Sequence, residues 1–307
     1  ATPNKRHDGL NIARGAYAID PSVLETEINE KNNPVFKLES LARMQGLDSS
    51  DAHSALADAE MTAKILNIVR KKQKNTWDTF LKTANKSDIE TIIKKGEIIT
   101  LNEYYYGKSR LHLVVPLHPK YCMHPVYQGW YYSFDLRTPV EPLLNLSIND
   151  LKLEMKKSPK FLRTIRSNKA PIIVEAKYGI KAEPYNLIDP NLIKKRATSI
   201  QKNEKFSQNI LTALREVAEE KEQSKSQEDL YNEESIYAKF TLTEDNKIMP
   251  EFHKVDWDKK LSVLAKFKDE RLQYFGKKLL YMEKPEVLSK SEYNLIHKDT
   301  AKKLLST

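Results

Sequence analysis

His53 and Asp58 are the two residues whose types and spacing could do chemistry. An imidazole titrates near neutrality and can take a proton from water. A carboxylate close by can hold a divalent cation. Both lie in Asp51-Ala52-His53-Ser54-Ala55-Leu56-Ala57-Asp58-Ala59-Glu60. Asp51 is a good N-cap. The run from Ala52 to about Lys71 is rich in Ala, Leu, Met and Glu and has no Gly or Pro. These residues predict a helix with His53 in its first turn and Asp58 further in. Ala55, Ala57 and Ala59 would let that helix pack closely on a neighbour. A helix start with no chemistry would carry the same pair, so the flanks have to decide.

Upstream, Phe36-Lys37-Leu38-Glu39-Ser40-Leu41-Ala42-Arg43-Met44-Gln45-Gly46-Leu47 reads as a helix ended by a glycine, followed by a short loop. Downstream come Leu113-Val114-Val115-Pro116-Leu117-His118-Pro119, then Asp135-Leu136 with Pro142-Leu143-Leu144, then Asn168-Lys169-Ala170-Pro171, and finally Leu230-Tyr231-Asn232. In this order, along nearly the whole chain, the set resembles the exodeoxyribonuclease I family. These are DEDD-type 3′–5′ exonucleases that use a histidine as general base.

The resemblance implies an α+β chain in three parts. Residues 1–74 would be the C-terminal part of an RNase H-like exonuclease domain. Residues 75–203 would be an SH3-like β-barrel with helical additions, and 204–307 an all-helical domain. The activity it implies is Mg²⁺-dependent 3′–5′ hydrolysis of single-stranded DNA to 5′-mononucleotides, in DNA repair and recombination. His53 would be the general base and Asp58 a metal ligand of a two-metal site. That centre needs four carboxylates: two from an Asp-x-Glu on a first strand, one from a middle segment and one from the motif seen here. Only the last is present. Asp58-Ala59-Glu60 matches Asp-x-Glu as a string but falls inside the helix. The expectation is therefore a chain that begins inside the nuclease domain and has little or no nuclease activity by itself. A non-hydrolytic single-stranded DNA-binding or scaffold protein of the same descent is the alternative. A soluble basic protein with a misleading likeness is the third.

Composition narrows the classes. The chain has 307 residues, 51 Lys and Arg against 42 Asp and Glu, and a net charge of +9, which favours a polyanionic partner. Cys122 is the one cysteine, which leaves no intrachain disulfide and suits a reducing cytoplasm. No apolar run approaches the ~20 residues of a membrane span, and the first residues lack the apolar core of a signal peptide. Eight glycines and no Gly-x-Gly make an NTPase or a dinucleotide enzyme a poor fit. A monomer is expected.

Candidate DNA contacts are spread along the chain. Leu10 to Ala18 reads as a helix; the resemblance places it along the DNA channel with Arg14 on a phosphate, although a solvated arginine explains it equally. The resemblance puts Lys37 beside the active site, where a cation offsets developing charge. Arg70-Lys71-Lys72-Gln73-Lys74 complements the end of a helix dipole, which is explanation enough. After a helix over Thr76 to Ala84, Lys86 is a DNA contact or an ordinary loop lysine. Strands are expected at Ile98–Leu101, Leu111–Val115, Trp130–Asp135 and Ile172–Glu175. Between the first two, Tyr104-Tyr105-Tyr106-Gly107-Lys108-Ser109-Arg110 is either a loop for base stacking, with Lys108 among its cations, or strand tyrosines with polar tips. From Lys152 to Lys169 seven basic residues meet one acid, Glu154. The resemblance makes the end of that run, with Arg166, Asn168 and Lys169, a substrate-side loop. Phe206, Ile210, Leu211, Leu214 and Val217 form one helix face, Ala218 to Asp229 reads as a polar linker, and Leu261 to Leu280 marks final helices. Single-stranded DNA is the expected partner, and the resemblance adds the acidic tail of a single-stranded DNA-binding protein.

Overall fold

A computed structural model describes residues 7–47, 54–224, 233–237 and 240–305. It divides into two compact units, Ala1–Glu220 and Lys221–Thr307.

The first unit opens with α1 (Gly9–Ile19), whose N-terminus is closed by Asp8: its carboxylate accepts from the amides of Leu10 and Asn11. α2 (Leu38–Met44) ends before Gly46, which takes φ +67°, as the glycine stop requires. α3 (Ala55–Lys72) starts later than the sequence suggested. Ser54, not Asp51, is its cap, and the Ser54 hydroxyl accepts from the Ala57 amide. Several good caps stand in a row there, and the sequence alone does not choose among them. α4 (Lys74–Lys82) follows after a buried corner. Gln73 donates to Ala16 O at 2.9 Å and accepts from the Thr76 hydroxyl at 3.1 Å. Ile12, Ala16, Leu41, Met61, Ile65, Val69 and Phe80 fill the space between these helices.

α5 (Lys86–Lys94) was not expected. It places Lys86 in a first helical turn rather than in a loop. β1 (Ile99–Tyr105), β2 (Lys108–Pro116), β3 (Trp130–Asp135), β4 (Leu162–Arg166) and β5 (Ile172–Glu175) form one antiparallel sheet in the order β4-β3-β2-β1-β5. The SH3-like description of this stretch rests on the resemblance; the pairings themselves are those of a five-stranded sheet with β4 and β5 at its edges. β5 shows the two-sided burial: Ile172 and Val174 face the helices of the first core, and Ile173 faces the second. The second core joins Leu113, Val115, Phe134 and Leu151 of α6 (Ile148–Lys156) to Ile193 and Ile200 of α8 (Pro190–Lys202). α7 (Ala176–Ile180) packs on β1, where the Gly179 amide donates to the Thr100 hydroxyl at 2.9 Å.

Tyr104 to Arg110 is a hairpin, not an irregular loop. Tyr105 pairs with Lys108 around a two-residue turn in which Tyr106 (φ +51°) and Gly107 (φ +77°) are both left-handed. Gly107 is also sterically required, because a Cβ there would lie 2.5 Å from Asn33 Nδ2.

α9 (Glu204–Ser224) carries Phe206, Ile210 and Ala213 into the second core. The expected boundary at 204 thus falls inside the first unit, because the apolar face of the helix is used on the sheet. The helix also runs to Ser224, through much of the stretch expected as a linker. Leu230-Tyr231-Asn232 lies outside the described residues.

The basic run from Lys152 does not form one cationic face. Lys152 bridges Glu216 (2.9 Å) and Glu220 (2.8 Å), and Lys157 pairs with Glu154. Arg163, 8% exposed, points into the sheet, donating to Asp135 Oδ2 at 3.1 Å and Glu103 Oε2 at 2.8 Å. Asp135 is fully buried and also accepts from the Tyr185 hydroxyl at 2.7 Å, with Arg137 Nε 3.3 Å and His112 Nδ1 3.5 Å away. Burial alone would raise the Asp135 pKa. Hydrogen bonds from His112 and Tyr185 and the charges of Arg137 and Arg163 outweigh it and hold the carboxyl below its ordinary value.

The second unit is helical: α10 (Thr243–Lys254), α11 (Lys260–Leu264), α12 (Glu270–Glu283) and α13 (Lys290–Leu305). Phe252, Val263, Leu264, Phe267, Leu280 and Leu288 make its core. Buried Asp245 accepts from the amides of Lys268 (2.9 Å) and Asp269 (3.0 Å), tying α10 to the start of α12. Among the described residues no helix is long and apolar enough to cross a membrane.

Candidate nucleic-acid interface

Arg14 projects from α1 toward the hairpin. Its guanidinium carbon lies 3.5 Å from the Tyr104 ring centroid and 5.9 Å from that of Phe36, and its buried Nε has no hydrogen-bond partner. Stacking on an aromatic face offsets part of the cost of that unmet donor. The hairpin is held to the helices from two sides. The Ser109 hydroxyl meets Arg14 O (3.0 Å) and Asn102 Oδ1 (2.7 Å), and Asn33 Nδ2 donates to Tyr106 O (3.4 Å). Tyr17, Phe36 and Tyr104 pack edge to face in sequence, at 5.5 and 6.2 Å. Tyr106 stands 90% exposed at the tip. Lys108 is exposed beside it, and Lys37, next to Phe36, is exposed at the start of α2. Arg14 thus lies on the Tyr104 face of the hairpin, whereas the register puts Lys108 on its Tyr105 face, and Lys37 is next in sequence to Phe36.

A second group forms where β3 meets β4. The strand register sets Trp130 opposite Arg166, whose guanidinium lies 4.0 Å from the indole centroid. Gly129 (φ +77°) packs so tightly that a Cβ there would be 2.9 Å from Ser167 Oγ, and 3.9 Å from Lys86 Nζ. Lys86 is paired to Glu90 at 3.8 Å, an exposed contact of little net strength. Asn168 and Lys169 are exposed just beyond Arg166. Lys86, Arg166, Asn168 and Lys169 thus meet at one sheet end, although about 80 residues separate the first from the others. The sequence carried no signal for Trp130 or Tyr127 at this place, since an aromatic at a strand start reads as core.

Of the expected catalytic pair, the described residues include Asp58. Asp58 sits half-buried in the first turn of α3, its amide bonded to Ser54 O at 3.0 Å. His53 lies outside the described residues. Two magnesium ions need several carboxylate oxygens. Among the described residues no group of three or more His, Cys, Asp or Glu comes together. The described donors by themselves do not make up a two-metal centre.

A cationic cavity of about 610 Å³ opens between the end of α3 and α7. Lys71, Lys72, Lys74 and Lys181 line it together with one carboxylate, Asp20, and Ile19 and Tyr178 supply apolar wall. The basic run read from the sequence as a helix terminus therefore also forms the rim of a pocket, completed by a lysine about 110 residues away.

No family model matches the chain. Among curated proteins it is 27% identical to exodeoxyribonuclease I of Haemophilus influenzae over 190 residues, 57% of this chain and 39% of that protein. It is 25% identical to the Escherichia coli protein over 185 residues, covering 56% and 38%. Against that of Buchnera aphidicola subsp. Baizongia pistaciae it is 24% identical over 297 residues, covering 94% and 60%. The matched segments thus span 38% to 60% of the length of these relatives. Among solved structures it superimposes on E. coli exonuclease I in complex with a dA16 oligonucleotide with a TM-score of 0.69 at 18% identity, over 96% of this chain and 64% of that one. An ExoI/SSB-Ct complex gives 0.70 at 18% identity, over 96% and 63%. At these identities the structural likeness establishes a shared fold.

Proposed function

We propose, from a chain homologous to exodeoxyribonuclease I over part of that enzyme's length, that this protein acts on single-stranded DNA as an exonuclease I-like protein. Mg²⁺-dependent 3′–5′ hydrolysis to 5′-mononucleotides, serving DNA repair and recombination, is the activity this reading assigns to the whole enzyme. The described residues carry the strand-binding part of it. The observation that supports this best is the Arg14 guanidinium over Tyr104, with its Nε unpartnered, at the foot of a hairpin bearing exposed Tyr106. Aromatic faces for bases beside cations for phosphates form a surface that binds unpaired strands with little sequence preference. Binding of labelled oligo(dT) titrated against salt tests it. Arg14→Ala is expected to weaken binding about tenfold and to lower the salt slope by about one contact. Failure of the wild-type chain to bind at low salt would remove the reading.

His53 is assigned as general base and Asp58 as one metal ligand. With the resemblance matching only one of that centre's four carboxylates in this sequence, the 307-residue chain alone is expected to release no mononucleotides above background from 3′-labelled single strands in Mg²⁺. Turnover abolished by His53→Ala would overturn this. A non-hydrolytic single-strand binder of the same descent shares the binding prediction and differs only in turnover.

The acidic tail of a single-stranded DNA-binding protein is the proposed protein partner, and the lysine-lined cavity between α3 and α7 is its seat. Four cations against one carboxylate, Asp20, beside an apolar wall suit a peptide with carboxylates and a hydrophobic end. Lys71→Glu with Lys181→Glu is expected to abolish capture of such a peptide while leaving oligo(dT) binding within about twofold, because rim charges act mainly locally at physiological salt. Equal loss of both would refute this placement.

A further inference from the structure

Six arginines of the first unit illustrate two settings, a carboxylate or carbonyl partner and an aromatic face. Arg43 pairs with Glu27, Arg163 pairs with Asp135 and Glu103, and Arg196 donates to the carbonyls of Leu136 (2.7 Å) and Arg137 (3.0 Å). Arg14, Arg110 and Arg166 lie over Tyr104, Tyr105 and Trp130, at 3.5, 4.3 and 4.0 Å, and Arg110 also donates to Tyr105 O at 2.7 Å. Of these three, Arg166 is exposed and meets no carboxylate among the described residues.

Its support is rigid. The His124 ring accepts at Nδ1 from the amides of Val126 (3.0 Å) and Tyr127 (3.1 Å), which closes the loop ahead of β3. The Tyr127 ring lies 4.4 Å from His124 and 5.0 Å from Trp130. Ser167 donates from both its amide (2.8 Å) and its hydroxyl (3.1 Å) to Gly129 O, which fixes the chain directly after Arg166. The indole packs against Tyr127, and the guanidinium lies over its ring. A planar guanidinium held in this way offers its free face to a base and its N–H edge to a phosphate. Lys86 lies beside Gly129, and Lys169 follows three residues on.

We propose that Arg166, carried on Trp130, is a stacking seat for one unpaired base of a single strand, with Lys86 and Lys169 serving the neighbouring phosphates. Trp130 is its positioning residue. The inference rests on the reading of the chain as a single-strand binder, and it names a base contact that a charge-only interface lacks.

The test compares oligo(dT) with a matching abasic strand by fluorescence anisotropy, at several salt concentrations. Arg166→Lys keeps the charge and removes the flat face. Trp130→Leu removes the support. Each is expected to weaken oligo(dT) binding about tenfold with an unchanged salt slope, and to leave abasic-strand binding within about twofold. If Arg166→Lys binds both strands like wild type while Arg166→Ala lowers the slope by about one, Arg166 is a point charge and the seat is refuted. Arg166→Lys decides the matter even if Trp130→Leu fails to fold, because the arginine is on the surface. Wild-type protein that binds neither strand would defeat the parent reading; wild-type protein that binds both equally would defeat the seat alone.

Discussion

Asp135→Ala is expected to destabilise the first unit by about 3 kcal/mol, read as a lowered urea midpoint. The carboxylate is fully buried and answers a buried guanidinium, a tyrosine hydroxyl and a second arginine. Its removal leaves the Tyr185 hydroxyl without its closest acceptor and strips Arg137 and Arg163 of a carboxylate. Arg163 keeps Glu103 at 2.8 Å, which places the loss at the lower end of what breaking a buried pair costs. Replacing Asp135 and Arg163 together by apolar residues of similar volume is expected to recover part of that loss, since both desolvation penalties then vanish. A change below about 1 kcal/mol for the single variant would contradict the network as described. The same group fixes an acid limit. Its folded pKa is lowered, so its stabilisation is fully present above the unfolded value of about 3.9 and fades as pH falls through the lower folded one. Asp135→Ala should therefore flatten the pH dependence below about pH 4. Tyr185, held protonated by burial and by the Asp135 charge, works at the other end: stability is lost as pH rises past the ordinary tyrosine value of about 10.

Phe206→Ala is expected to cost about 3–5 kcal/mol, since it deletes a ring with no exposed surface from the core beneath the sheet. The loss should fall on the first unit. Phe206 is packed near Phe134, with ring centroids 6.3 Å apart, whereas the core of the second unit is built from other residues. Hydrogen exchange resolved by segment would show faster opening in β3 and α8 and unchanged protection in α10 to α12. Faster exchange confined to residues after 240 would mean that α9 belongs with the final helices after all.

The elements that the sequence announced are those with one kind of face. α1, α2, β2, β3 and β5 carry apolar residues at helical or strand spacing between good stop signals, and they formed close to where expected. β4 was hidden because one of its inward positions is Arg163: the alternation that marks a strand was written partly in charge, and the segment read as a basic run. α5 was hidden because only Ile89 and Ile93 are buried along it. The reach of α9 into the sheet core could not be read locally, since an apolar helix face does not say which neighbour will cover it. For the interface, the sequence supplied the cations and left out the rings. Arg14, Lys86, Arg166 and Lys169 stood out as charges. That Tyr104 and Trp130 lie beneath two of them follows from pairing and packing between distant segments, which no local spacing encodes.

β4 couples the interior of the sheet to its outer rim. Its pleat sends Arg163 and Ile165 inward, and the register with β3 that does so also sets Arg166 against the Trp130 ring. Sliding the strand by a single residue would carry Arg163 out of the core and Arg166 off its indole in the same step. A one-residue insertion or deletion in the segment joining α6 to β4 would therefore damage folding and strand recognition together. The two functions have a common ruler, and neither can drift through evolution without the other.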